Sequence, residues 1–285
     1  MSEPSRPHLA FLGLPRTGKS TFLGTFWALV ESPAETSVIE TNFAGDRSYV
    51  QHLAAQVARG DELERTAVDA NEEMAVELTF DPEGTADLLI PDTSGESLRV
   101  LVERRMWHPR LLAACKDATA ILLFIHPERL RLPEPIAVLA GASSETAQEA
   151  ANGSLQDAVH FDVDERACTA AELIDVFENV AELCSDRWAI RFGVVVSAWD
   201  TVDGDPGPTP YEWMQERLPA VLATIEANPD IGEFEVFGVS AQGGSLEARD
   251  ELLARGEICD RVFARDGRGR AVSLVEPIRW SIWGS

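Results

Sequence analysis

The chain has 285 residues, 45% apolar and 25% charged, enough to build one large domain or two small ones around a full core. With 48 acidic residues against 24 basic ones its net charge is −24, which repels nucleic acid and anionic lipid and argues against direct contact with either. Cys115, Cys168, Cys184 and Cys259 are scattered without metal-ligand spacing, and no apolar run is long enough for a signal core or a bilayer span, so a cytoplasmic chain with reduced thiols is expected.

Taken in chain order, Leu9–Leu12 is a short apolar run that ends at Gly13. Across Lys19–Val30 the apolar residues Phe22, Leu23, Phe26, Trp27 and Val30 recur at helical spacing, and Ser32-Pro33 ends the pattern. Asp46–Arg59 reads as a second helix, with Tyr49, Val50, Leu53 and Val57 on one face and Gly60 as its stop. Met74–Phe80 and Ala86–Ile90 read as strands, and the turn residues Asp81-Pro82-Glu83-Gly84 between them predict an antiparallel hairpin. A helix over Leu98–Ala114 then leads to the buried-type strand Ala120–Ile125.

Residues 132–166 are rich in Ala, Ser, Glu and Pro and poor in large apolar side chains, the composition of a surface insertion. Beyond them, helices at Ala170–Cys184 and Tyr211–Ala227 precede strands at Arg191–Val196 and Phe234–Val239, and one more helix lies near Leu246–Leu253. Alternating strands and helices predict an α/β fold: a mostly parallel sheet with helices on both faces and one antiparallel edge hairpin. With no internal repeat and no clear linker, residues 1–285 read as a single domain, carrying a helical insertion at about 43–60 and the surface insertion at about 132–166.

Gly13-Leu14-Pro15-Arg16-Thr17-Gly18-Lys19-Ser20 fits G-x-x-x-x-G-K-[ST] between an apolar strand and a helix, the phosphate loop of P-loop nucleoside triphosphatases. Gly13 and Gly18 let the chain wrap with its amides inward, and the following helix adds partial positive charge, with Thr17 and Thr21 beside the phosphates. Lys19 is expected to reach the terminal phosphates, and Ser20 to ligate Mg²⁺. After the hairpin comes Asp92-Thr93-Ser94-Gly95-Glu96, where Asp92 is placed to hold a water of the metal shell and Gly95 to offer its amide to the γ-phosphate.

That segment resembles the Asp-x-x-Gly switch of translation-factor-class GTPases, the group containing Ras-like, Era-like and dynamin-like proteins. Two later segments extend the resemblance to about 230 residues. Ser197-Ala198-Trp199-Asp200 stands where the family carries Asn/Thr-Lys-x-Asp, so Asp200 matches the carboxylate that reads guanine; Ser240-Ala241 is similar to its final Ser-Ala motif. The resemblance implies GTP or GDP with Mg²⁺, a GTP-hydrolysing switch, and an effector or regulatory protein bound through the switch regions.

Three positions depart from the family. Ala198 replaces the Lys whose stem packs on the base, and Glu96 replaces the water-orienting Gln of Ras-like proteins. Arg16 is similar to the loop arginine of guanylate-binding proteins, where it acts as a built-in arginine finger; that implies a catalytic role for Arg16 and a nucleotide-dependent dimer. For the first switch, Thr36, Thr41 and Thr66 are the candidates; the family places its metal-binding Thr shortly before the second strand, which favours Thr66. Tyr49, Leu53, Gly60 and Thr66, with Pro277 and Trp280 near the C-terminus, also look like the double-GTPase proteins of bacterial conflict and defence gene clusters. A P-loop ATPase, left open by Ala198, and a non-hydrolysing nucleotide-dependent scaffold, left open by Glu96, are the alternatives.

Overall fold

The computed structural model describes residues 7–33, 35, 37–44, 47–63, 74–90, 95–131, 168–184, 190–202 and 207–284. Among them, nine strands form one sheet in the order β2-β3-β4-β1-β5-β6-β7-β8-β9. The strands are β1 (His8–Leu12), β2 (Val38–Ala44), β3 (Met74–Phe80), β4 (Gly84–Ile90), β5 (Ala120–Ile125), β6 (Ile190–Ser197), β7 (Ile231–Ser240), β8 (Phe263–Arg265) and β9 (Ala271–Val272). β4, β1, β5, β6 and β7 run parallel, while β2, β3, β8 and β9 join antiparallel.

Both faces of the parallel core are buried, so its central strands carry near-continuous apolar runs, as in Leu9–Leu12 of β1, all of β5 and Val194–Val196 of β6. Leu9 and Phe11 of β1 point into one hydrophobic cluster with Leu122 and Phe124 of β5, while Ala10, Leu12, Leu123 and Ile125 point into the other. The first cluster is covered by α1 (Lys19–Val30), α2 (Arg47–Ala58) and, at the end of the chain, Ile278, Trp280 and Ile282. On the opposite face lie α3 (Gly95–Arg104), α4 (Pro109–Asp117), α5 (Thr169–Cys184), α6 (Pro210–Arg217) and α7 (Pro219–Glu226). Helices α8 (Arg249–Ala254), α9 (Ile258–Arg261) and α10 (Glu276–Trp283) complete the chain.

Two differences from the sequence reading have physical causes. The predicted hairpin forms with Phe80 opposite Gly84, but β2 pairs outside β3, so the hairpin sits one strand in from the edge. As an edge strand β2 buries Val38 and leaves Ile39, Thr41 and Asn42 exposed, which erases most of its alternation signal. The helices expected over Leu98–Ala114 and Tyr211–Ala227 are each two. Pro109 and Pro219 cannot continue a helix and each starts a new one, the first after Arg105 turns left-handed (φ 54). The 132–166 insertion lies outside the described residues. Its flanks are joined, because Arg131 and Thr169 exchange a backbone N–H···O=C bond of 3.0 Å and an N–H···Oγ1 bond of 2.8 Å.

Candidate functional site

The loops that follow β1, β6 and β7 meet at the C-terminal edge of the parallel strands, where open α/β sheets bind ligands. Under the first of these loops, Phe11, Phe22 and Phe124 form a triangle of edge-on rings with centroids 5.2–5.8 Å apart, a rigid floor. Gly13 is buried there, and an added Cβ would come within 2.6 Å of Thr17 Oγ1 and 2.9 Å of the Phe124 carbonyl. Gly18 is left-handed (φ 86) and caps α1 without a side-chain hydrogen bond, and the first turn of α1 holds no acidic residue. An uncapped helix N-terminus with no competing carboxylate is a ready anion site.

Lys19 folds back over this loop. Its ammonium donates to the carbonyls of Gly13 (2.6 Å) and Leu14 (3.0 Å), and Thr17, itself buried, donates to the Leu14 carbonyl (2.9 Å). Desolvation lowers the Lys19 pKa to about 8. No carboxylate is paired with it among the described residues, so its charge is held ready for an anion. Ser20 and Thr21 lie in the first turn of α1, and Arg16 stands exposed on the loop with a left-handed backbone (φ 62).

At the other end, β6 delivers Ser197, which donates to the Ile125 carbonyl (3.1 Å) and fixes the end of the strand. Ala198 turns left-handed (φ 46) and starts a 3₁₀ turn over Trp199–Thr201. The Trp199 ring is buried against Gly238, where an added Cβ would come within 2.4 Å of it, so Gly238 is the space the anchor needs. Asp200 is left exposed above that anchor, and its Oδ1 accepts a hydrogen bond from Ser240, which in turn accepts from the Gly243 N–H (3.2 Å). The Ala241 carbonyl accepts from Thr25 of α1 (2.7 Å), a buried contact that ties the β7 loop to the phosphate-loop helix. Thr25 went unnoticed in the sequence, because a single Thr inside a helix carries no motif.

The expected residues therefore fall into three groups. Gly13, Arg16, Thr17, Gly18, Lys19, Ser20 and Thr21 lie together on one loop and helix start, and Asp200, Ser240 and Ala241 lie together after β6 and β7. Gly95 and Glu96 open α3, while Thr66 and Asp92 lie outside the described residues. Thr41 is held on β2, donating to the Glu77 carbonyl and side chain of β3. Thr36 is outside the described residues. Of the residues expected to ligate Mg²⁺, Ser20 alone is described, and its hydroxyl lies at the bare start of α1. Among the described residues no group of three His, Cys, Asp or Glu could hold a metal by itself, and no helix is long and apolar enough to cross a membrane.

The family model for Double-GTPase 1 matches residues 10–281. The chain belongs to the Double-GTPase 1 family. No curated protein matches it. Among solved structures, the chain is similar to a bacterial selenocysteine-specific elongation factor, at 14% identity and a TM-score of 0.37, with 88% of this chain and 28% of that one covered. The signal recognition particle receptor SRβ–GTP/SRX complex of Chaetomium thermophilum matches at 14% identity and a TM-score of 0.37, covering 88% of this chain and 97% of that one. The Arl6 small GTPase of Trypanosoma brucei matches at 10% identity and a TM-score of 0.34, covering 88% and 94%. This Double-GTPase 1 chain thus spans less than a third of the elongation factor.

Proposed function

We propose that this protein binds GTP between the phosphate loop and the Asp200–Ser240 pair, hydrolyses it with Mg²⁺, and uses the difference between its GTP and GDP forms to control a partner protein. The observation that carries this reading is the placement, on one sheet edge, of a bare cationic helix start at Lys19 and a carboxylate held in position at Asp200. The first suits a triphosphate. The second suits guanine, which offers two adjacent N–H donors to one carboxylate, whereas adenine sets an unprotonated ring nitrogen against the same charge.

Ser20 would hold the metal, with Asp92 and Thr66 expected beside it; Mg²⁺ would supply charge neutralisation on the phosphates. Lys19 would bind the terminal phosphates. Arg16, on the same loop, would stabilise charge on the transferring phosphoryl group once aimed at it. Glu96, opening α3, would orient water or slow the reaction. The partner would dock on the switch segments, and family membership together with the sequence resemblance supports a role in a bacterial conflict or defence system. The test is turnover of GTP by the purified chain with and without Mg²⁺. Metal-dependent release of phosphate supports the proposal, and tight GTP binding without release points instead to a nucleotide-dependent scaffold.

A further inference from the structure

The outer side of the phosphate loop, Leu14 to Thr17, faces a cleft of about 220 Å³, and of its lining the nucleotide reading uses only Arg16 and Thr17. Its other walls are the end of β5 with the turn that follows, the first turn of α5, and α3. Among the described residues, four arginines line it (Arg16, Arg99, Arg129 and Arg131) against one carboxylate, Glu172. Arg131 is paired with Glu172 and Arg99 with Glu103, whereas Arg16 and Arg129 meet no carboxylate among the described residues.

Two paired arginines alone would make an ordinary solvated rim. Two further unpaired ones, in a chain whose net charge is −24, make a local positive field against the global one. The 16-residue helix α5 adds to it, since its N-terminal residue Thr169 lines the cleft. Beneath the arginines the floor is apolar, formed by Leu14, Phe124, Ile125 and Leu173. None of Gly18, Lys19, Ser20, Asp200 and Ser240 lines the cleft, so it is separate from the cradle, with Arg16 and Thr17 common to both.

We propose that this cleft is a second anion site, which takes a small organic phosphate. A dianionic phosphate matches the two unpaired guanidiniums and accepts from each in the fork geometry that arginine presents. The apolar floor has room for a body of a few carbon atoms, smaller than a drug-sized ligand. The assignment stands on the cleft alone and does not depend on the identity of the nucleotide.

The experiment is calorimetric titration of phenyl phosphate and of inorganic phosphate into the full chain carrying Lys19→Ala, which disables the cradle. A parallel titration uses the wild-type chain with excess GDP and Mg²⁺. Saturable binding of phenyl phosphate, tighter than that of inorganic phosphate, is expected in both. Arg129→Gln and Arg16→Gln, made separately at exposed and unpaired positions, are each expected to weaken it about tenfold while thermal unfolding stays unchanged. Absence of saturable phenyl phosphate binding overturns the proposal, as does binding that both substitutions leave intact, or equal affinity for the two phosphates. Should the Lys19→Ala chain not fold, the GDP-loaded titration decides, and failure of the nucleotide reading would show separately as a lack of GDP binding there.

Discussion

At the phosphate end of the site, every described partner of Lys19 lies within six residues of it in sequence. At the proposed base end, Asp200 is held by Ser240, forty residues on; the loop after Ser240 is bonded by Thr25 and Arg255, and Gly243 lies close against the Arg261 backbone. The buried Arg261 side chain also donates to the carbonyls of Val57 and Ala58, and Arg249 donates to that of Arg59. These bonds tie down the last carbonyls of α2 and that of the residue after it, so the Arg261 that lies against Gly243 also anchors α2. A local motif can thus be kept by a handful of neighbouring residues, whereas the base end depends on the whole chain being folded. Substitutions at the first should change ligand chemistry alone; substitutions behind the second should change stability and base recognition together.

The largest expected effect is on rate. Arg16→Ala should slow single-turnover hydrolysis of saturating GTP about a thousandfold, with little change in affinity. Unchanged turnover would leave Arg16 to the cleft alone. Lys19→Ala should weaken GTP binding by about a hundredfold, the loss of a charged hydrogen-bond donor to phosphate. Its thermal midpoint should stay within a few degrees of wild type, which calorimetry and a melting curve check together.

Behind the base end the effects pass into stability. Gly243 is left-handed (φ 83), and an added Cβ would lie 2.4 Å from the Arg261 carbonyl, so Gly243→Ala should cost about 2–3 kcal/mol in denaturant unfolding. Thr25→Val keeps the shape but leaves the Ala241 carbonyl without its buried partner, a loss of about 1–2 kcal/mol with weakened GTP binding. If GTP affinity survived both, the base loop would not be part of the site.

The smallest effect tests Lys19 without a mutation. Its pKa of about 8 means that the free chain loses this charge as pH rises through 8, while a bound anion favours the protonated form. GTP affinity should therefore fall by about tenfold between pH 7 and 9, with proton uptake on binding near pH 8. The contribution of Lys19 to folding has the opposite sign. An unfolded chain binds this proton more tightly than the folded one, so stability should rise between pH 8 and the ordinary lysine range, which unfolding at several pH values resolves.

The same contrast explains what was legible in the sequence. Gly13 to Ser20 stands out because a phosphate cradle needs fixed residue types at fixed short spacing. The core strands stand out because burial on both faces leaves unbroken apolar runs such as Ala120–Ile125. Asp200 and Ser240 were legible only through the family resemblance, and Thr25, Arg249 and Arg261 were not legible at all. Their roles exist only where segments more than 180 residues apart come together, and a buried arginine reads in a sequence like any surface one. β2 was hidden for a different reason, since an edge strand with one buried apolar residue carries almost no period.

If the paired Asp200 and Ser240 select guanine for a triphosphate held at Lys19, competition of ATP against bound GTP, on the wild-type chain and on Asp200→Ala, will show it. GTP should be held at least about tenfold more tightly than ATP by the wild type, the worth of a satisfied hydrogen-bonding site over a mismatched one, and Asp200→Ala should remove the preference. Equal affinity for ATP in the wild-type chain, or a preference that survives Asp200→Ala, would contradict that selection.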